Sequence, residues 1–133
     1  MENKNPTVAV VVATYNGATY LRQQLESIVQ QTYKPSQIII VDDDSLDDTL
    51  QVANNFAAHH PEVMVVQNET RLGYIKNFEK GMLLANAHYV ALSDQDDIWL
   101  PGKIQAAAEL LIKIEGSQRP AMVYSDLILV DED

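Results

Sequence analysis

The sequence predicts an α/β fold: a mostly parallel sheet with helices on both faces. Three observations carry that expectation. Short apolar runs rich in Val and Ile alternate with longer stretches whose apolar residues recur at helical spacing, the order that wraps helices over a parallel sheet. The first run, Val8-Ala9-Val10-Val11-Val12-Ala13, is continuously apolar, as a strand covered on both faces must be. Two acidic clusters, Asp42-Asp43-Asp44-Ser45 and Ser93-Asp94-Gln95-Asp96-Asp97, each follow directly on such a run. In an open parallel sheet the C-terminal strand ends share one crevice, and ligands bind there.

The elements follow in order. Thr14-Tyr15-Asn16-Gly17 breaks the first strand with turn chemistry, and from Tyr20 the residues Leu21, Leu25, Ile28 and Val29 form one helical face. Lys34-Pro35-Ser36 leads into a second strand from Gln37 to Ile40. Ser45-Leu46-Asp47-Asp48 has capping-box spacing, with Ser45 as the cap of a helix carrying Leu50, Ala53, Phe56 and Ala57 inward. That helix ends near His59-His60-Pro61, and Val63 to Val66 is a third strand. A loop from Asn68 to Gly73 precedes a helix with Ile75, Phe78 and Met82 inward. Tyr89 to Leu92 is the fourth strand, and an acidic loop runs from Ser93 to Trp99. Pro101 suits the first turn of the next helix, whose inner face is Ile104, Ala108, Leu111 and Ile112 and which Gly116 ends. Met122 to Val130 is expected to contain a fifth strand.

Composition narrows the function classes. A chain of 133 residues fits one domain with a normal core. Its net charge of -10 argues against a nucleic-acid partner, which needs clustered Lys and Arg. With no cysteine, disulfides, thiolate metal sites and cysteine nucleophiles are excluded. The first apolar run is too short to span a bilayer, and residues 1–5 lack the features of a signal peptide. The expected location is cytoplasmic, with peripheral attachment to the inner face of the membrane left open. No Gly-x-x-x-x-Gly-Lys is present, so P-loop chemistry is excluded as well.

The acidic clusters carry the chemistry. Asp94 and Asp96, one residue apart in an irregular loop, can converge on one ion, and an oxygen-only set favours Mg²⁺ or Mn²⁺. A solvated acidic turn is the plainer alternative. Helix capping explains Ser45 and is one reading of Asp44, but it does not explain Asp42 and Asp43 at the strand end. A carboxylate there can accept from the ring N–H of uracil or thymine. Arg71, Lys76 and Asn77 are placed to meet a diphosphate or are ordinary surface polarity; for Lys80 the surface reading is preferred. Tyr15 and Asn16 either line a base pocket or serve the turn at Asn16-Gly17. Trp99 is read as a core or lid aromatic, and His59, His60 and His88 show no ligand spacing.

Val10-Val11-Val12-Ala13-Thr14-Tyr15-Asn16, Ile39-Ile40-Val41-Asp42-Asp43-Asp44-Ser45 and Leu92-Ser93-Asp94-Gln95-Asp96-Asp97, in that order, resemble family 2 glycosyltransferases of the Rossmann-like GT-A fold. The resemblance runs from Val8 to about Val130. It implies a nucleotide-diphospho-sugar donor (UDP- or dTDP-linked) and a divalent metal, Mg²⁺ or Mn²⁺, held by the Asp-x-Asp motif. Asp43 would then contact the base, Asp96 would be the principal metal ligand, and Asp94 would meet the donor ribose or the metal. Thr14, Tyr15 and Asn16 would line the nucleotide pocket, with Arg71 and Lys76 as donor contacts. Ser-Asp-Gln-Asp-Asp-Ile-Trp is similar to bacterial members that build cell-surface polysaccharide, rhamnosyltransferases among them. These use saccharide or lipid-linked acceptors and mostly invert the anomeric carbon.

Two departures stand out. The family usually has Gly where Asp44 stands, a position suited to left-handed backbone that Asp tolerates better than most residues. No residue matches the general base of the family's acceptor half, since Asp126 and Asp131 follow too closely on the metal motif. The chain is therefore expected to be a donor-binding part that transfers poorly or not at all by itself. The competing readings are a receiver-like phosphoacceptor domain and a non-catalytic nucleotide-binding module.

Overall fold

The computed structural model describes residues 5–116 and 118–131. Its elements are β1 (Val8–Thr14), α1 (Ala18–Val29), β2 (Gln37–Asp42), α2 (Thr49–Ala57), β3 (Val63–Gln67), α3 (Tyr74–Leu84), β4 (Tyr89–Ser93) and α4 (Lys103–Ile114). The strands pair in the order β3-β2-β1-β4, and every pairing is parallel. Each strand starts where the apolar run starts and extends one or two residues past its expected end. The ladder carries it there: Thr14 pairs with Asp42, and Asp42 with Gln67. Both acidic clusters therefore leave the same edge of the sheet.

Alternation along the strands builds two cores. Val8, Val10, Val12, Ile38 and Ile40 face Leu21, Leu25 and Ile28 of α1, Phe56 of α2, Trp99 of the loop before α4, and Ile104 at the start of α4. Full burial of side chains such as Leu21 and Leu25 stabilises the fold by about 1.5–3 kcal/mol each. Val11, Ile39 and Val41 face the other way, against Phe78 of α3. Helices thus cover both faces, as expected. Among the described residues no helix is long and apolar enough to cross a membrane.

Several local expectations are corrected. α3 does not pack through Ile75 and Met82, which are exposed; it turns Asn77 and Gly81 to the sheet and half-buries Phe78. Glycine is the reason: a Cβ at position 81 would lie 2.2 Å from Val11 Cγ1 and 3.1 Å from Val41 Cγ2. The helix axis can approach only along that side. On α4, Ile104 and Ala108 are buried, Leu111 only partly, and Ile112 is exposed. Pro101 precedes α4, whose N-cap position is Gly102. Gly116 follows the C-cap with φ 103°, the left-handed stop that glycine favours. The expected fifth strand is absent: residues 121–131 have no regular structure, and Tyr124, Ile128 and Leu129 are largely exposed. Strand propensity is realised only where a neighbouring strand receives the ladder bonds.

Gly81→Ala is expected to lower stability by about 1–3 kcal/mol through overpacking against Val11. The change should appear as a lower urea midpoint at unchanged slope. An unshifted midpoint would show that α3 does not depend on this close approach.

Candidate functional site

The site begins with a buried carboxylate. Asp43 is only 2% exposed, just past the end of β2. Its Oδ1 accepts from Asn68 Nδ2 (2.9 Å) and from the Leu72 N–H (2.7 Å), and its Oδ2 accepts from the Gly73 N–H (2.9 Å). Burial pushes its pKa up. The bonds from Leu72, Asn68 and Gly73, with the nearby Arg71 charge, outweigh that and hold it below the ordinary carboxylate value. Gly73 reaches this arrangement with φ 86°, a backbone that favours glycine. Asn68 also donates to Asn77 Oδ1 (2.9 Å) and accepts from Lys80 Nζ (2.7 Å), and Asn77 donates to the Val41 carbonyl (2.8 Å). One polar chain thus ties the β3–α3 loop and α3 to the end of β2.

The β1 and β2 ends are joined by a second network. Asp42 is fully buried, and its oxygens accept from Thr14 Oγ1 (2.8 Å), Ser45 Oγ (2.6 Å) and the Ser45 N–H (3.0 Å). Asp44, between them, has φ 60°, the left-handed backbone anticipated for the position where the family usually carries Gly. Asn16, with φ 48°, donates its N–H to Ser45 Oγ (2.9 Å) and accepts from the Leu46 N–H through Oδ1 (2.8 Å). Ser45 is therefore no helix cap. α2 begins later, at Thr49, whose N–H is met by Asp47 Oδ1 (3.0 Å). The left-handed turn at Asp44 is what aims Ser45 back at Asp42.

Across from these lies the acidic loop. Gln95 accepts from the Tyr15 N–H (2.8 Å) and donates to the Tyr15 carbonyl (3.0 Å). The guanidinium of Arg71 stacks on the Tyr15 ring, 3.7 Å from its centroid. From beneath, Ser27 and Gln31 of the α1 end hold the loop exit. Ser27 Oγ accepts from the Trp99 N–H (3.0 Å), and Gln31 accepts from the Ile104 N–H (3.0 Å) while donating to the Leu100 carbonyl (2.7 Å). Gln24 sits between Ser27 and Ser93; oriented to satisfy its neighbours, its amide accepts from the Trp99 indole N–H (3.2 Å). Asp94, Asp96 and Asp97 remain at the surface. Partial burial raises the Asp94 pKa, and the charges of Asp97 and Asp96 raise it further.

The model of the family described as "Glycosyl transferase family 2" matches residues 9–117. The chain belongs to that family. The dTDP-rhamnosyl transferase RfbG of Shigella flexneri is 37% identical over 106 residues, 76% of this chain and 37% of its own length. EpsE of Bacillus subtilis is 30% identical over 131 residues, 98% of this chain and 46% of its own. The chain thus spans less than half the length of these curated relatives. Among solved structures, the mannosyltransferase PcManGT from Pyrobaculum calidifontis, in complex with GDP-Man and Mn²⁺, superposes with a TM-score of 0.75 at 27% identity, covering 82% of this chain and 33% of that one. S. aureus TarS 1-349 in complex with UDP gives a TM-score of 0.70 at 25% identity, covering 86% and 38%. The expected GT-A fold is shown by this likeness. The receiver-like reading is not favoured by the family match, nor by acids that follow β2 and β4 rather than β1.

Within this glycosyltransferase domain the anticipated residues fall into three groups. Tyr15, Asp43 and Arg71 come together, and Asp94 and Asp96 border them through Gln95. Thr14, Asn16 and Asp42 lie at the same edge, with the Thr14 hydroxyl and the Asp42 carboxylate buried against each other. Lys76 pairs with Glu79 (3.1 Å) on the exposed side of α3 and does not join the Asp43 cluster. Lys80, read as surface charge, is instead half-buried on Asn68. Trp99 is a core aromatic, as expected. Sequence reasoning missed Gln24, Gln31, Asn68 and Gln95. Gln24 and Gln31 did leave a signal, since they share a helical spacing with Ser27 and Leu21.

Asp43→Asn should cost about 1–3 kcal/mol at neutral pH, because the amide turns an N–H₂ toward donors. The folded pKa of Asp43 lies below its unfolded value of about 3.9. Its contribution is therefore fully present above that value and is lost as pH falls through the folded pKa. Urea titrations across the acid range should show the gap between wild type and variant closing below about pH 4. A gap that stays constant down to full protonation would contradict the ionised, triply bonded state.

Proposed function

We propose that this chain is the donor-binding part of a transferase that moves a sugar from a nucleotide-diphospho-sugar to an acceptor hydroxyl, with inversion, in cell-surface polysaccharide synthesis. The observation that carries this reading is Asp43. Its two oxygens offer about four acceptor positions, and three are filled by Asn68, Leu72 and Gly73. The remaining position suits one further donor, which the ring N–H of uracil or thymine supplies. An acceptor-only group at the base edge calls for a base with a ring N–H, which uracil, thymine and guanine all supply and adenine lacks. The dTDP-rhamnosyl transferase likeness and the TarS complex with UDP support UDP or dTDP donors. Cytoplasmic location and a saccharide or lipid-linked acceptor belong to this reading too.

The chain's own residues divide the work. Tyr15, held by Gln95 and covered by Arg71, lines the base pocket. Arg71 brings positive charge to an otherwise acidic edge, where a diphosphate needs it. Thr14, Asn16 and Asp42 fix the floor on which these stand. Asp94 and Asp96 are the residues that would hold Mg²⁺ or Mn²⁺. Their chemistry fits such an ion: all are oxygen donors, and the carboxylates of Asp97 and Asp96 add their charge to the burial that raises the Asp94 pKa. Among the described residues no three such side chains form a ready-made metal cluster. A hard cation held by one or two carboxylates is ordinarily completed by substrate phosphates and water. When bound, the ion supplies Lewis-acid stabilisation of the departing diphosphate.

Calorimetric titration of UDP, dTDP and GDP, with and without Mn²⁺, tests the proposal. Wild type should bind the pyrimidine diphosphates more tightly with metal. Asp96→Ala should weaken that binding about tenfold or more, equivalent to about 1.4 kcal/mol. Absence of nucleotide binding under every condition would sink the reading.

A further inference from the structure

We infer that Gln95 is a positioning residue that couples metal binding at the acidic loop to nucleotide binding beside Tyr15; the inference rests on the donor-site reading above. Gln95 stands in the chain between the two carboxylates of Asp94 and Asp96. Its side chain leaves them and makes two bonds to one residue, accepting from the Tyr15 N–H (2.8 Å) and donating to the Tyr15 carbonyl (3.0 Å). β1 ends at Thr14, so these two backbone groups lie beyond the ladder. The amide of Gln95 takes the place of a neighbouring strand. Only a side chain with donor and acceptor on one planar group can do this. Glu lacks the donor, Met lacks both, and Asn is one methylene shorter.

Gly17 supports the assignment independently. Its φ of -116° is open to any residue, so backbone strain does not require glycine there. Contact does: a Cβ at position 17 would lie 2.1 Å from Gln95 Oε1 and 2.2 Å from its Cδ. Gly17 therefore vacates the space that the Gln95 amide fills. Tyr15 in turn carries the Arg71 guanidinium on its ring. Asp94 and Asp96 would hold the cation, and any change in the loop backbone between them would reach Tyr15 through the two hydrogen bonds of Gln95. By linkage, nucleotide seated on Tyr15 favours the same loop position to the same degree.

A Gln95 that merely staples the loop would behave differently. Its loss would weaken nucleotide binding equally with and without metal. The test is calorimetry of UDP into the 133-residue chain with and without Mn²⁺, for wild type, Gln95→Met, Gly17→Ala and the double variant. Thermal melting of each variant without ligands would accompany the titrations. Wild type is expected to bind UDP about tenfold or more tightly with Mn²⁺. In each single variant the metal effect should fall to within about twofold, with metal-free affinity changed less. The double variant should lose no more than either single one, since both remove the same contact. Gly17→Ala displaces Gln95 without altering it, so it decides the matter if Gln95→Met melts early. A metal effect retained in both variants, or equal loss with and without metal, overturns the inference and leaves the donor site standing. Wild type that binds UDP with no metal effect does the same. Wild type that binds no UDP overturns the donor-site reading and this inference together.

Discussion

An ionised carboxylate at 2% exposure has lost its hydration, and a fold can keep it only by surrounding it with donors. Asp43 imposes that condition on everything near it. The donors come from Asn68, Leu72 and Gly73, so the β3–α3 loop must return to the end of β2 and turn sharply at Gly73. Once the loop is pinned there, Arg71 has little choice of position, and it lies on Tyr15. Lys80 completes the arrangement by donating to Asn68 Oδ1, and Asn77, which accepts from Asn68, donates in turn to the Val41 carbonyl. The placing of Arg71 beside Tyr15 thus follows from satisfying one charge.

The two acidic clusters show how environment divides identical side chains. Asp43 and Asp94 are both aspartates at strand ends on the same edge. Burial pushes both upward. Donors on three sides then pull Asp43 below its ordinary value, whereas Asp97 and Asp96 push Asp94 further above it. One carboxylate is stabilised as an anion by the fold itself. The other is left with repulsion that a ligand can relieve, which is a condition for cation binding rather than for stability. Stability is supplied from elsewhere: Ser27, Gln24 and Gln31 of α1 and its end anchor the loop through backbone groups, leaving its carboxylates outward.

Most of the architecture was legible in the residues. β-branched runs such as Val8 to Val12 and Ile38 to Ile40 can be buried on both faces only in a helix-covered sheet, so strand positions and fold class followed. The acidic clusters at strand ends located the site, and the unusual Asp44 announced its left-handed turn. What failed in the reading of α3 was the assumption that apolar residues mark the packed face. Gly81 and Asn77 mark it instead, because close approach and one hydrogen bond to Val41 decide how that helix sits. The segment at 122–130 failed for a related reason, since apolar sequence does not make a strand without a neighbour.

By itself, then, the sequence determined which segments form strands and helices, where the acids gather, and which family the motifs resemble. These are matters of local pattern, set by side-chain period and turn chemistry. Tertiary structure decided which acid does what. Asp42 and Asp43 are neighbours in the chain, yet one accepts from Thr14 and Ser45 and joins the β1 and β2 ends, while the other accepts from Asn68, Leu72 and Gly73 and pins the β3–α3 loop. It also decided that Gln95 reaches Tyr15, eighty residues earlier in the chain, and that Lys76 does not join the site. Hydrogen-bond partners are fixed by distance in space, and only the assembled sheet brings those distances about.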